Sequence, residues 1–258
     1  MNAAATAKHF DLTGRTALVT GSSRGIGRAI AVALAEAGAR VILNGSRESA
    51  PLSEAAAEIR AAGGEALTAI GDLSTPAGTD ALIARCRELT DRIDILVLNA
   101  SVQTYIRVEN YDDAEFRREF QTNLGSCFQL VQAFSPGMRE RRWGRIITVG
   151  SINQLRPAAR LSIYSTTKAA LANLTENLAK EFAPDGVTVN NLVPGVILTD
   201  RNREALKDET LRESIRSDIP AGRFGNTAEC VGAALLFASD AGSYITGARL
   251  VVAGGWQL

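Results

Sequence analysis

Short runs of almost continuously apolar residues recur along the chain, and between them apolar positions return every three or four residues. The runs are Arg15–Thr20, Val41–Asn44, Ala66–Gly71, Ile93–Asn99, Arg145–Gly150, Val187–Val193 and Ala248–Val252. Unbroken apolarity, rather than alternation, is the pattern of parallel strands covered on both faces. The stretches between them read as amphipathic helices. The first sets Ile26, Ile30, Ala33 and Leu34 on one face and stops at Gly38, a residue suited to the left-handed position after a helix. Pro51 and Pro76 fall at helix starts, Pro76 directly after a capping Thr75. A long helix is predicted from about Asp113 to Met138, and another from about Ser162 to Phe182, ahead of Pro184-Asp185-Gly186.

Strand and helix alternate throughout. That implies an α/β fold: a doubly wound, parallel, seven-stranded sheet with helices on both faces. No composition shift, low-complexity tract or repeat divides the 258 residues. Residues 11–258 are therefore expected to form one domain behind a flexible tail at 1–10.

Composition removes several classes of function. Lys plus Arg and Asp plus Glu are equal at 28 each, so no net field draws the protein to nucleic acid or an anionic membrane. Residues 1–9 lack the apolar core of a signal peptide, and no run is long enough to span a bilayer. Cys86, Cys127 and Cys230 are odd in number and widely spaced. They read as core fillers in a reducing cytoplasm rather than as disulfides. His9 is the sole histidine, which excludes a Ser-His-Asp triad in the core and a His-rich zinc site. No metal is expected.

The first apolar run leads directly into Thr20-Gly21-Ser22-Ser23-Arg24-Gly25-Ile26-Gly27. Gly21 suits a tight turn off a strand, Gly25 a close approach of backbone to a pyrophosphate, and Gly27 close packing of helix on sheet. The following helix would direct its positive end at the phosphates. The second run ends in Asn44-Gly45-Ser46-Arg47, where an NAD site usually carries an acid. No carboxylate repels a 2′-phosphate there, and Arg24 and Arg47 could pair with one. NADP is therefore favoured, with NAD still possible.

Tyr164 and Lys168 lie four residues apart on a predicted helix. Such a spacing rises about 6 Å and places both on one face. A free phenol titrates near pH ~10, and an adjacent cation favours the phenolate. Tyr164 could then exchange a proton with a substrate oxygen. Ser151 follows the fifth run, at the sheet edge where ligands of such folds collect. Asn123 lies within the long fourth helix, where an asparagine that binds backbone points to a kink and a held water.

In this order the residues resemble the short-chain dehydrogenase/reductase family in its single-domain form, over residues 11–258. The resemblance rests on the turn at 20–27, Asp72-Leu73, Leu98-Asn99-Ala100-Ser101, Asn123, Ser151, Tyr164, Lys168, Pro194-Gly195 and Thr199. It implies a Rossmann-type domain binding NADP or NAD, with Asn123, Ser151, Tyr164 and Lys168 as a catalytic tetrad. The expected cofactor contacts are Gly21, Ser23, Arg24, Gly25, Ile26, Gly27, Ser46, Arg47, Asp72, Leu73, Asn99, Ala100, Tyr164, Lys168, Pro194, Gly195 and Thr199. Two motifs depart from the family: its NNAG reads Leu98-Asn99-Ala100-Ser101, and its DGG reads Ala253-Gly254-Gly255.

Loops at about Ser101–Val108, Ile152–Leu161 and Val196–Leu206 are expected to face substrate. Ser101, Gln103, Asn153, Gln154 and Arg156 make that surface polar, which suits a sugar, sugar acid or polyol, with Arg156 a candidate partner for a carboxylate. The alternative is a 3-oxoacyl-thioester reductase, whose motifs are the same. A non-catalytic nucleotide sensor is disfavoured by the retained Tyr164 and Lys168. Phe120, Leu124, Phe128, Leu171, Leu174 and Leu178 exceed one core-facing stripe, which fits the tetramers typical of the family.

Overall fold

A computed structural model describes residues 7–203 and 205–258. The first part of the expected tail, residues 1–6, lies outside the described residues. Residues 7–10 form a helical turn, and Ala241 N donates to His9 O at 3.0 Å.

Seven strands form one parallel sheet: β1 (Thr16–Val19), β2 (Arg40–Gly45), β3 (Ala66–Ile70), β4 (Ile95–Leu98), β5 (Gly144–Val149), β6 (Val187–Pro194) and β7 (Arg249–Val252). Their order is β3-β2-β1-β4-β5-β6-β7. The sheet is wound outward in both directions from β1 and β4. The crevice between their carboxyl ends is the switch point where ligands of such sheets bind.

Side chains alternate across every strand, so both faces must be covered. Val41 and Leu43 enter one core layer with Ile30, Leu34 and Phe237. Ile42 enters the other with Leu82, Leu130 and Leu178. The first layer is closed by α1 (Gly25–Glu36), α2 (Ala50–Ala61) and a later helix at Val231–Ala238. The second is closed by α3 (Pro76–Leu89), by the long helix ending at Glu140 and by the helix Ser162–Phe182. The predicted punctuation holds. Gly38 takes φ +98° after α1, and the Thr75 side chain accepts from Gly78 N at the start of α3.

The long helix is not continuous. It divides into α4 (Asp113–Phe120), a π-turn at Gln121–Gly125 and α5 (Ser126–Glu140). The extra residue in that turn falls where Asn123 leaves the helix pattern to bind elsewhere in the chain. The helix α6 (Ser162–Phe182) has the predicted bounds. Beyond β6 come α7 (Asp200–Arg203), α8 (Glu209–Ser217) and α9, the helix Val231–Ala238 already noted.

The expected excess of apolar helix surface is smaller than the sequence implied. Leu171 and Leu178 are buried within the chain, and Leu124 and Leu174 pack against the same layer. Phe128 remains 51% exposed, and the Phe116 and Phe120 rings stack at 4.6 Å.

All three cysteines are buried and unpaired. Burial pushes the Cys86 and Cys230 thiols up to about 12 and the Cys127 thiol to about 11. None should react with an aromatic disulfide reagent at pH 8 in the native protein, and all three should react in guanidinium. A fast native phase would place a thiolate at the surface.

Candidate active site

The glycine turn is knotted to the strand ends by short polar side chains. Thr20 Oγ1 donates to Val97 O at 3.2 Å and accepts from Asn99 N and Ala100 N at 2.9 and 3.0 Å. Asn99 Nδ2 donates back to Thr20 O and Gly21 O at 2.9 and 3.1 Å. From the other side, Asn44 Oδ1 accepts from Gly21 N at 3.2 Å, and Ser22 Oγ accepts from Asn44 N at 3.0 Å. Thr20, Ser22 and Asn44 went unnoticed as site residues. Their only signal is a polar residue closing an apolar run, or standing inside the turn.

Gly21 and Gly25 adopt φ +61° and +62°, a region open to glycine. A Cβ on Gly27 would lie 2.4 Å from Asn99 Nδ2 and 2.6 Å from Gly21 O. The space at Gly27 lets α1 come close to the ends of β1 and β4, where Asn99 clamps the turn. Asn99, expected beside a ribose, directs its amide nitrogen into the turn.

The other expected cofactor positions surround this crevice. Ser23 and Ile26 are half-buried in the turn, and Arg24 is exposed at the cap of α1. Ser46 and Arg47 are exposed beyond β2. Among the described residues, no side chain pairs with Arg24 or Arg47. Asp72 is exposed and accepts from Ser74 N, while Leu73 is buried beside it. Pro194 closes β6, and Gly195 N donates to Val252 O at 2.9 Å. Thr199 Cγ2 comes within 3.4 Å of where a Gly25 Cβ would stand, so the segment after β6 meets the turn.

The reactive constellation is gathered above β5. Tyr164 and Lys168 share one face of α6 and are only 5% and 1% exposed. Lys168 Nζ donates to Val149 O at 2.7 Å and lies 5.8 Å from the Tyr164 ring centroid. Ser151 caps a 3₁₀ turn at Ile152–Gln154, and its Oγ accepts from Asn153 N at 3.2 Å. Among the described residues its hydroxyl donates to nothing, so the proton can point at a bound oxygen. Asn123 is fully buried in the π-turn. Its Oδ1 accepts from Val102 N at 2.8 Å, and its Nδ2 donates to Val102 O and Thr167 Oγ1 at 2.9 and 3.1 Å. Thr167 Oγ1 in turn donates to Tyr164 O at 2.8 Å. The Asn123 side chain therefore reaches a distant loop, not the local backbone the sequence suggested.

Of the three surrounding loops, the third contains Glu204, which lies outside the described residues. The first two are tied together. Ile106 N donates to Arg160 O at 2.9 Å, and the Arg160 guanidinium stands 4.4 Å from the Tyr105 ring centroid. Beneath them Glu119, fully buried, accepts from Thr104 N, and the Tyr111 hydroxyl lies 3.3 Å from it. Burial raises the Glu119 carboxyl above the ordinary range. The Tyr111 hydroxyl is pushed up to about 12, by burial first and then by Glu119. Gln103 is exposed, and Ser101 and Asn153 are half-buried.

Two of the expected substrate contacts have partners within the chain. Arg156 Nη1 donates to Trp256 O at 2.7 Å, and its guanidinium lies 5.5 Å from the indole centroid, so it clasps the C-terminal segment. Gln154 has both ends of its amide engaged within the fold, to Ser151 N and Asn191 Oδ1.

A family model described as short chain dehydrogenase matches residues 15–210. The chain belongs to the short chain dehydrogenase family. It is 39% identical over 249 residues to the 3-oxoacyl-[acyl-carrier-protein] reductase FabG of Escherichia coli, covering 96% of this chain and all of that one. It is 38% identical over 248 residues to the L-rhamnose 1-dehydrogenase (NAD(P)(+)) of Azotobacter vinelandii, covering 95% and 97%. A crystal structure of a 3-oxoacyl (acyl-carrier-protein) reductase from Agrobacterium tumefaciens with NADP bound superposes with a TM-score of 0.91 at 42% identity, covering 96% of each chain.

One departure of this short chain dehydrogenase from the usual motifs has a visible setting. Ala253 packs over Gly195, where a glycine Cβ would meet Ala253 Cα and Cβ at 2.8 Å each. Gly27→Ala is expected to displace Asn99 and Gly21. It should weaken NADPH binding at least tenfold by fluorescence titration and lower stability by about 1–3 kcal/mol. Unchanged affinity would separate the turn from the cofactor.

Proposed function

We propose that this oxidoreductase interconverts a carbonyl and a secondary alcohol on a sugar, sugar acid or other polyol, with NADP(H) as its cofactor. The observation that carries the reaction type is the burial of Tyr164 and Lys168 side by side, with Lys168 Nζ on Val149 O two residues before Ser151.

The residues present fit a dinucleotide. Gly21 and Gly25 leave a cradle at the end of β1, backbone N–H groups at the start of α1 face it, and Thr199 closes it. Gly21, Ser23, Gly25, Ile26 and Gly27 would hold the pyrophosphate, Asp72 and Leu73 the adenine, and Asn99, Ala100 and Lys168 the nicotinamide ribose. Pro194, Gly195 and Thr199 would hold the carboxamide. Ser46, Arg24 and Arg47 would hold the 2′-phosphate. Bound in this crevice, the cofactor supplies or accepts the hydride.

The chain's own groups handle the proton. Ser151 Oγ–H donates to the substrate oxygen and orients it beside Tyr164. Tyr164 Oη gives its proton to that oxygen in reduction and takes it in oxidation. Lys168, fixed on Val149 O, keeps positive charge beside the phenol. Asn123 holds the loop at Val102 and the turn of α6 at Thr167, and so keeps the wall of the site in place. Ser101, Gln103 and Asn153 give the rim polar groups. The faces of α4 and α5 bearing Phe116, Phe120 and Phe128 are the proposed contacts of a cytoplasmic homotetramer.

A second reading, a 3-oxoacyl-thioester reductase, is favoured by exposed apolar side chains in the same loops: Val108, Leu155 and Leu198. Turnover of L-rhamnose and D-gluconate with NADP, set against acetoacetyl thioesters with NADPH, separates the two. Activity on the thioester alone would overturn the sugar reading. Tyr164→Phe should lower kcat by about 10²–10⁴-fold with cofactor affinity retained. Full activity would remove Tyr164 from the chemistry. Arg47→Asp should weaken NADPH about ten- to a hundredfold and leave NADH nearly unchanged, as loss of a charge-assisted contact to phosphate predicts. Equal weakening of both would place the 2′-phosphate elsewhere.

A further inference from the structure

Ser151 is the start of a chain of five hydrogen bonds that runs through β5 and β6 into α6. Ser151 N donates to Gln154 Oε1 at 3.2 Å, and Gln154 Nε2 donates to Asn191 Oδ1 at 2.7 Å. Asn191 Nδ2 donates to Thr148 Oγ1 at 2.8 Å. Thr148 Oγ1 and Thr175 Oγ1 are 2.8 Å apart, and Thr175 Oγ1 donates to Leu171 O at 2.8 Å. Thr148 Oγ1 also lies 3.3 Å from Asn190 O as a second acceptor for its proton, and either threonine can donate across the pair. Asn191, Thr148 and Thr175 are all buried. The chain ends on α6, three residues beyond Lys168.

Backbone groups fix both amides in this orientation. A flipped Gln154 would turn its NH₂ toward Ser151 N–H. A flipped Asn191 would set Oδ1 against Thr148 O, which now accepts from Nδ2 at 3.3 Å. Gly150 leaves the room: a Cβ there would stand 2.2 Å from Gln154 Oε1 and 3.0 Å from both amide atoms of Asn191. Linked hydrogen bonds polarise one another, so loss of the Gln154 link weakens its neighbours.

We propose that Gln154 is a positioning residue for Ser151: its amide, oriented by Asn191, holds the Ser151 backbone so that the hydroxyl aims at the reacting oxygen. This rests on the reading of Ser151, Tyr164 and Lys168 given above. Gln154 is thus assigned to the support of the site, not to the substrate. A glutamate at 154 accepts from Ser151 N–H as well as glutamine does. It donates to Asn191 Oδ1 only while it carries a proton. Facing that oxygen, the introduced carboxyl has a raised pKa, so its support is present at low pH and lost as pH rises. The packed elements carry other ionisable groups: Tyr164, Lys168, Glu176, Lys180 and Glu181 on α6, Arg145 on β5, Arg249 on β7, and Arg156 and Arg160 in the same loop. All are common to parent and variant, so a difference in profile belongs to position 154.

The test is kcat between pH 5.5 and 8.5 for the parent, Gln154→Leu and Gln154→Glu, with the best substrate of the sugar and thioester set and saturating NADP(H). Gln154→Leu should lose about tenfold in kcat at every pH, with NADPH affinity unchanged, as expected for one lost hydrogen bond. Gln154→Glu should approach the parent at the acid end and fall about tenfold as pH rises. Parent-like kcat in Gln154→Leu, or a parent-like profile in Gln154→Glu, would overturn the proposal. If Gln154→Leu does not fold, the Gln154→Glu profile decides alone. Melting temperatures separate this inference from the reading beneath it. If the site is misread, Tyr164→Phe keeps its activity, yet Gln154→Glu still loses stability relative to the parent as pH rises. If the hydrogen-bonded chain is wrong, the melting temperature of Gln154→Glu tracks that of the parent at every pH.

Discussion

Lys168 carries an ammonium group into a place from which water is almost wholly excluded. A charge so buried is tolerated only with partners. The Val149 carbonyl at the end of β5 is one of them, at 2.7 Å. That contact fixes the height of α6 over the sheet. It thereby fixes Tyr164, one turn earlier on the same face, relative to Ser151, two residues beyond the carbonyl. The Thr148–Thr175 and Asn123–Thr167 hydrogen bonds hold the same helix at two further points.

The neighbouring supports are likewise polar side chains that bond to groups from other elements. Asn123 joins α4–α5 to the loop after β4 and to α6. Thr20, Asn44 and Asn99 join the glycine turn to β2 and β4. The parallel sheet delivers all of these segments to one edge, and side-chain amides and hydroxyls lock them there. A π-turn in the longest helix follows from this arrangement: helix geometry yields so that the Asn123 amide can reach Val102.

Loops outside this frame are held by weaker means. Arg160 lies against Tyr105 and Arg156 against Trp256, both at the surface, where such contacts contribute about 0.5–1 kcal/mol. Glu119 is the exception, a buried carboxyl that accepts from Thr104 N and the Tyr111 hydroxyl; burial raises its pKa and these hydrogen bonds oppose the rise.

Local pattern alone determined the strands, the glycine turn and the extent of α6. Buried parallel strands need unbroken apolar runs, and turns need glycine where φ is positive. The order of the motifs also made Asn123, Ser151, Tyr164 and Lys168 legible as one group. Side-chain partners far apart in sequence were not legible. Nothing local to Gln154 shows that its amide turns inward to Asn191, or to Arg156 that it turns to Trp256. Nothing near Leu171 or Leu178 shows whether a second apolar stripe meets this chain or another. Periodicity reports which residues avoid water, but which polar atoms meet is decided only when distant elements have packed.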